Sequence, residues 1–412
     1  MNGEKMHRSR FLLGAASGLA VVGSTDHFFA RALAQTPLDE HANAEDRVLV
    51  VVNFQGGNDG LNTIVPFSDP AYYRYRPSLG IPAGDVLPLD GQVGLNPQLR
   101  ALKDLYDKGM VAIVQGVGYP KPDLSHFRSS EIWQTAAPDA YLATGWLGRY
   151  LDAAALPPAN LFNAVALADI LPAALVGEHI DVPAIAGARG YGLASDRTIA
   201  NRDAFHDMVV STDVPFQSPY LAHVAEIEDH AQRGGEELPK LTAGYTTSVT
   251  YPATNLGRGL ALAAQIIGSK LGTRVLYVQH GSFDTHATQR QTQDRLLAEF
   301  AEATSAFFAD LAAHGSERRV LLMTFSEFGR RVAENGSRGT DHGTAAPVFL
   351  IGGAIKGGVI GTHPSLDDLD DGNLRFATDF RGVYATVLET WFNRLSAPIL
   401  NGRFPILGRA FS

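Results

Sequence analysis

The stretch that constrains this chain most runs from Arg319 to Gly353, RVLLMTFSEFGRRVAENGSRGTDHGTAAPVFLIGG. It reads as two apolar strands, Val320–Thr324 and Pro347–Ile351, joined by a polar loop. The loop puts Glu327 at the end of one strand and Asp341-His342 just ahead of the next. Strands that are apolar at nearly every residue are buried on both faces, as in a mostly parallel sheet flanked by helices. Polar groups at their ends then fall where α/β proteins build their sites.

The same grammar recurs along the chain. Arg47–Phe54 (RVLVVVNF) is a near-continuous β-branched run that ends in Gln55-Gly56-Gly57-Asn58-Asp59-Gly60. Those glycines permit tight turns. No Gly-Lys-Ser/Thr follows, so a nucleotide-binding loop is unsupported. Tyr72–Pro82 reads as a loop packed on the surface. Leu99, Leu102, Leu105 and Tyr106 mark a helix that stops near Gly109, and Val111–Val114 gives the next strand. Phe162–Leu167 is a further candidate strand. Helices are predicted over Leu256–Leu271, Gln289–His314 and Asp379–Leu395, the last capped by Asp379. The strand Arg274–Val278 lies between the first two. Residues 140–255 are less patterned and are expected to form a cap or insertion on a single domain spanning 35–412. The histidines there, His179, His206, His223 and His230, read as surface groups.

Several strand ends carry chemistry. After Arg274–Val278 come Asp284 and His286, two apart; on extended backbone such a pair points the same way and can meet one ion. Asp341 and His342 approach from another loop. Carboxylate with imidazole suits zinc or another divalent transition metal. The competing reading is that the aspartates cap turns and the histidines bond locally. Asp59 has two readings as well, a metal ligand or the anchor of its own turn. After Val111–Val114, two prolines precede Ser125-His126-Phe127-Arg128, where FRSSEIWQTA reads as a helix. A serine there is either a nucleophile at the positive helix end or an N-cap.

The N-terminus has a basic region (Lys5, His7, Arg8, Arg10), an apolar run Phe11–Val22 and an Ala32-Leu33-Ala34 cleavage signal. That order predicts a signal peptide over 1–34, too short in its apolar part to span a membrane, and an exported, periplasmic or extracellular protein. Ser9 separates Arg8 from Arg10, which leaves both the twin-arginine and the general secretory routes open. The net charge of −9 and the lack of a long basic run argue against nucleic acid as a partner. With no cysteine in the chain, disulfides and thiolate chemistry are excluded.

The segments RVLVVVNFQGGNDGLNTIVP, DLSHFR, GSFDTHATQ, TFSEFGRRVAENGSRGTDHGTAAPVFLIGG and TDFRGVYATVL occur in that order across residues 47–395. Together they resemble an exported bacterial family of unknown function, number fifteen-oh-one among such domains, grouped with the alkaline phosphatase and sulfatase superfamily. The resemblance implies an alkaline phosphatase-like α/β fold and metal-assisted hydrolysis of phosphate or sulfate esters. It implies Asp284, His286 and His342 as ligands of a first divalent metal, zinc foremost, and Ser125 as nucleophile. His126 or Arg128 would assist the leaving group or bind the anionic oxygens. Glu327-Phe328 stands where the superfamily has Asp-His, and Asn53 where an aspartate is usual, unless Asp59 substitutes. Both departures fall on the second metal, so one site is better supported than two. Asp341 is either a partner that orients His342 or a loop cap. The rival expectation is a non-catalytic exported protein that keeps the fold and one metal.

Overall fold

Alternation along a single strand sets up both layers of the protein. In the computed structural model, which describes residues 46–154, 156–157, 160–185, 237–408 and 410, strand β1 spans Val48–Gln55. Its residues Val48, Val50, Val52 and Phe54 join one apolar core, and Leu49 and Val51 join another on the opposite face. Each buried valine contributes about 1.5–3 kcal/mol, so a strand built this way is stable only in the middle of a sheet.

β1 sits there. The other strands of its sheet are β2 (Val111–Gly118), β3 (Ala164–Leu167), β4 (Val275–Gly281), β5 (Val320–Phe325), β6 (Ala346–Ile351), β7 (Gly358–Ile360) and β8 (Thr378–Asp379). They form one sheet in the order β7-β2-β6-β5-β1-β4-β3, with β8 also pairing β2. All pairings are parallel except those of β6, which runs against β2 and β5. The fold is therefore the expected α/β arrangement with a mostly parallel central sheet flanked by helices.

Seven helices matter for the site: α1 (Pro70–Tyr75), α2 (Arg100–Asp107), α3 (His126–Thr135), α4 (Trp146–Ala153), α5 (Asn255–Gly268), α6 (Gln289–Ala313) and α7 (Phe380–Thr386). On one face, α5 and α6 bring Leu260, Ala264, Leu296 and Phe300 against β1. On the other, Trp133 of α3, Trp146 of α4 and Tyr384 of α7 pack together, the last two rings stacked at 4.2 Å. Asp379 does cap α7, but the α-helix ends at Thr386 and a π-helical turn follows over Val387–Trp391.

The expected surface loop at Tyr72–Pro82 is corrected. Asp69 caps a helix with proline at its first position, the arrangement that starts helices most readily. Tyr72 and Arg76 are buried there, 0% and 1% exposed. The predicted leader and the segment 186–236, with His206, His223 and His230, lie outside the described residues. No helix among the described residues is long and apolar enough to cross a membrane.

Candidate metal centre

The reversed strand explains how distant residues meet. Asp284 follows the C-terminal end of β4 and Glu327 that of β5, whereas His342 precedes the N-terminal end of β6. Because β6 is antiparallel, its start lies at the same sheet edge as the other strands' ends. A two-residue pairing, His342 with Arg330, ties the incoming loop to the outgoing one. The loop after β2 leads to α3, which begins at His126 on this edge.

Three imidazoles and one carboxylate converge. His126 Nε2 lies 3.4 Å from Asp284 Oδ2, and His286 Nε2 and His342 Nε2 lie 3.0 and 3.2 Å from Asp284 Oδ1. The Nε2 atoms of His286 and His342 are 3.0 Å apart. His126, Asp284 and His342 each offer a ligand atom, all within 4.8 Å of one another, with His286 adjoining.

The other ring nitrogens assign the tautomers. His126 Nδ1 meets Glu327 Oε1 at 3.0 Å, His286 Nδ1 meets Asp341 Oδ1 at 3.2 Å, and His342 Nδ1 meets the Leu124 carbonyl at 2.8 Å. A carbonyl or a carboxylate only accepts, so a hydrogen on each Nδ1 satisfies these three contacts and leaves each Nε2 lone pair available to an ion. Burial pushes the His342 imidazole below its ordinary pKa, so it is neutral near pH 7. In that tautomer the Nε2 atoms and the Asp284 carboxylate form a set of electron-pair donors that a cation would join. A tetrahedral ion with bonds of about 2.05 Å spaces its ligand atoms about 3.3 Å apart; the contacts of each ring with Asp284 and of His286 with His342, 3.0–3.4 Å, match that spacing, and the His126, Asp284 and His342 atoms together lie within 4.8 Å.

Asp284 is held ready by Arg330. Burial alone would raise its carboxyl, but hydrogen bonds from Arg330 and His342, with the charges of Arg330 and His286, outweigh this and hold it down at about 2. The guanidinium donates to Asp284 Oδ1 at 2.8 Å and to the carbonyls of Gly57, Thr340 and Phe283 at 2.8, 2.8 and 3.0 Å. It also donates to the Gly56 carbonyl. Gly56 and Gly57 have φ of +103° and +84°, and a Cβ on Gly56 would collide with the backbone nitrogen of Asp284. The turn needs glycine.

Not every predicted residue joins the centre. Asp59 is 0% exposed, and its Oδ2 accepts from Arg76 Nη1 at 2.6 Å and from Gln289. It neutralises a buried cation, and the metal-ligand reading of it is corrected. Glu327 accepts from the Gly56 N–H at 2.7 Å as well as from His126, and Asp341 serves His286, not His342. Both stand behind histidines. Arg128 is turned away: its Nη2 donates to the carbonyls of Ala137, Pro138 and Ala140 at 3.3, 2.9 and 3.0 Å, and its guanidinium covers the Tyr141 ring. Expecting it to bind substrate oxygens ignored these carbonyls beyond the end of α3 and Glu131, whose carboxylate Arg128 Nη1 meets at 2.9 Å. His126, expected as a leaving-group acid, has one nitrogen on Glu327 and the other at the cluster.

Ser125 occupies the N-cap position of α3, yet its hydroxyl makes no capping bond and the residue is exposed. It sits between Leu124, whose carbonyl holds His342, and His126. Beside His126 and Glu327 opens a cavity of about 1270 Å³ that also reaches Gln55 and Ser282. Phe328 walls the cluster, its ring 4.3 Å from that of His342 and 4.9 Å from that of His126.

Sequence reasoning missed Arg330 and the Leu124 carbonyl. The signal for Arg330 was its place two residues beyond Phe328, in register with His342; a backbone carbonyl leaves none.

The model of a family described as "Protein of unknown function (DUF1501)" matches residues 112–390. No curated protein matches the sequence. Among solved structures the chain is similar to a protein in the alkaline phosphatase superfamily from Vibrio parahaemolyticus, at 10% identity and TM-score 0.38, over 87% of this chain and 69% of that one. It is similar to the PsFucS1 sulfatase from Pseudoalteromonas sp., at 12% identity and TM-score 0.38, over 89% and 73%. It is also similar to the C-terminal periplasmic domain of EcEptC from Escherichia coli in complex with Zn, at 11% identity and TM-score 0.32, over 76% and 74%.

Proposed function

This chain belongs to the family described as Protein of unknown function (DUF1501), and we propose that it is an exported, metal-dependent hydrolase of phosphate or sulfate esters. The observation that carries the reading is the convergence of three imidazole Nε2 atoms on the Asp284 carboxylate. Zinc suits an Asp-His₃ donor set without sulfur. Asp284, His126, His286 and His342 would hold the ion, with Glu327, Asp341 and Leu124 fixing the rings from behind. When bound, the ion supplies a lowered pKa for a nearby hydroxyl and a positive charge opposite developing negative charge.

Ser125 is the proposed nucleophile. Its Oγ is free of the capping bond that would otherwise occupy it, and neighbours on both sides belong to the centre. Attack forms an Oγ–phosphorus or Oγ–sulfur bond while the ester oxygen departs and takes a proton from water. A water molecule then cleaves the serine ester and restores the hydroxyl. The serine proton passes to solvent, to which Ser125 is exposed. His126 has no free nitrogen for acid catalysis. The cavity beside His126 and Glu327 gives room for the rest of an anionic ester. Export rests on the leader pattern of residues 5–34.

The test combines metal analysis with turnover. The purified chain should retain zinc, and His342→Ala should lose it. Aryl phosphate or aryl sulfate should turn over in the wild type and fall at least about 100-fold in Ser125→Ala. Equal rates in both proteins would remove Ser125 from the mechanism. Bound zinc without turnover of either ester class would favour the non-catalytic reading.

A further inference from the structure

We infer that the centre holds a single ion and that Glu327 is a positioning residue for His126, not a ligand of a second ion. The inference rests on the proposed metal centre and concerns its nuclearity. Glu327 is 4% exposed, and one of its oxygens is engaged twice. Oε1 accepts the Gly56 N–H at 2.7 Å and the His126 Nδ1–H at 3.0 Å. A carboxylate fixed by a backbone amide and aimed at an imidazole nitrogen dictates which tautomer the ring adopts. Here it turns the His126 lone pair toward Asp284.

The space in which a second ion would need ligands is already furnished. Phe328 lies against both His126 and His342, an apolar ring that offers no donor atom to an ion. The loop after β1 presents carbonyls there, but those of Gly56 and Gly57 are taken by Arg330. Arg330 is 1% exposed and cannot lose its proton, so it is a permanent cation 2.8 Å from Asp284. Asn53, at the end of β1, is neutral and supplies no compensating charge. Among the described residues, His126, Asp284 and His342 form the one group of three acidic or imidazole side chains close enough to share an ion.

The two roles for Glu327 predict different stoichiometry. The full chain and its Glu327→Gln and Glu327→Ala variants would be loaded with excess zinc and dialysed. Zinc per chain would be measured by elemental analysis, and zinc affinity by competition with a chromophoric chelator. The expected result is one zinc per chain in all three proteins. Glu327→Gln, whose amide oxygen still accepts from Nδ1, should bind zinc within about 10-fold of wild type, and Glu327→Ala about 10–100-fold more weakly than wild type. Two ions in the wild type, falling to one in Glu327→Gln, would overturn the inference while leaving a metal centre in place. Affinity unchanged in Glu327→Ala would overturn the positioning role. No zinc in the wild type would remove the centre itself, and the inference with it. Should Glu327→Ala fail to fold, wild-type stoichiometry and the Glu327→Gln affinity still decide.

Discussion

Replacing Asp59 by alanine separates a structural carboxylate from a ligand. Asp59 and Arg76 are 0% and 1% exposed and meet at 2.6 Å, so the pair is shielded from water on all sides. In Asp59→Ala, Arg76 keeps its bonds to the carbonyls of Val332 and Arg331 and to Asn62, and loses its only close counter-charge. Stranding one member of a buried ion pair costs about 3–5 kcal/mol. With an unfolding entropy of about 2.1 cal/mol/K per residue over roughly 370 residues, that loss lowers Tm by about 4–6 °C. Denaturant unfolding followed by tryptophan fluorescence, with metal analysis of the folded protein, is the assay. The double variant Asp59→Leu/Arg76→Met should recover most of the loss, since an apolar pair of similar volume removes the stranded charge. Unchanged stability in Asp59→Ala would refute the buried-pair reasoning. Loss of zinc from folded Asp59→Ala would restore Asp59 as a ligand.

Other expectations follow from the same geometry. Burial lowers the His363 pKa to about 4, and neither ring nitrogen has a partner. Its unfolded value is about 6.5, so the unfolded chain binds the extra proton between these two pH values. Its contribution is therefore complete above about pH 6.5 and is lost as pH falls toward 4, by about 3 kcal/mol in all. His363→Leu should flatten unfolding free energy over that window, and an unchanged slope would refute the assignment. Arg330→Lys keeps the charge but not the planar fork, and should weaken zinc binding about 10–100-fold in a chelator competition. Gly56→Ala forces a side chain into a positive-φ turn against Asp284, and should lower the denaturation free energy by at least about 1–3 kcal/mol.

The longer strands were legible because runs such as Val48–Phe54 and Val320–Thr324 are apolar at nearly every residue, whereas the short strands Gly358–Ile360 and Thr378–Asp379 carry no such run and were missed. Direction was not legible. Nothing in Pro347–Ile351 says that it runs opposite to its neighbours, yet that reversal brings His342 to the same edge as Asp284. Asp284, His286 and His342 were readable as candidates for one site because each lies close to a strand end and the family resemblance groups them. The orientation of His126 was not legible, since the carboxylate that meets its ring, Glu327, lies 201 positions away. Tyr72 and Arg76 looked like surface residues because an arginine's counter-ion is invisible until the fold supplies it. Arg128 failed for a related reason: the carbonyls that hold it belong to a loop whose path the sequence does not state.

The most direct test of the metal centre is X-ray absorption at the zinc edge on the zinc-loaded full chain and on His126→Ala. The geometry around Asp284 predicts one carboxylate and three imidazoles on zinc in the wild type, and two imidazoles in the variant. A wild-type chain that binds no zinc, or a His126→Ala spectrum identical to wild type, would contradict it.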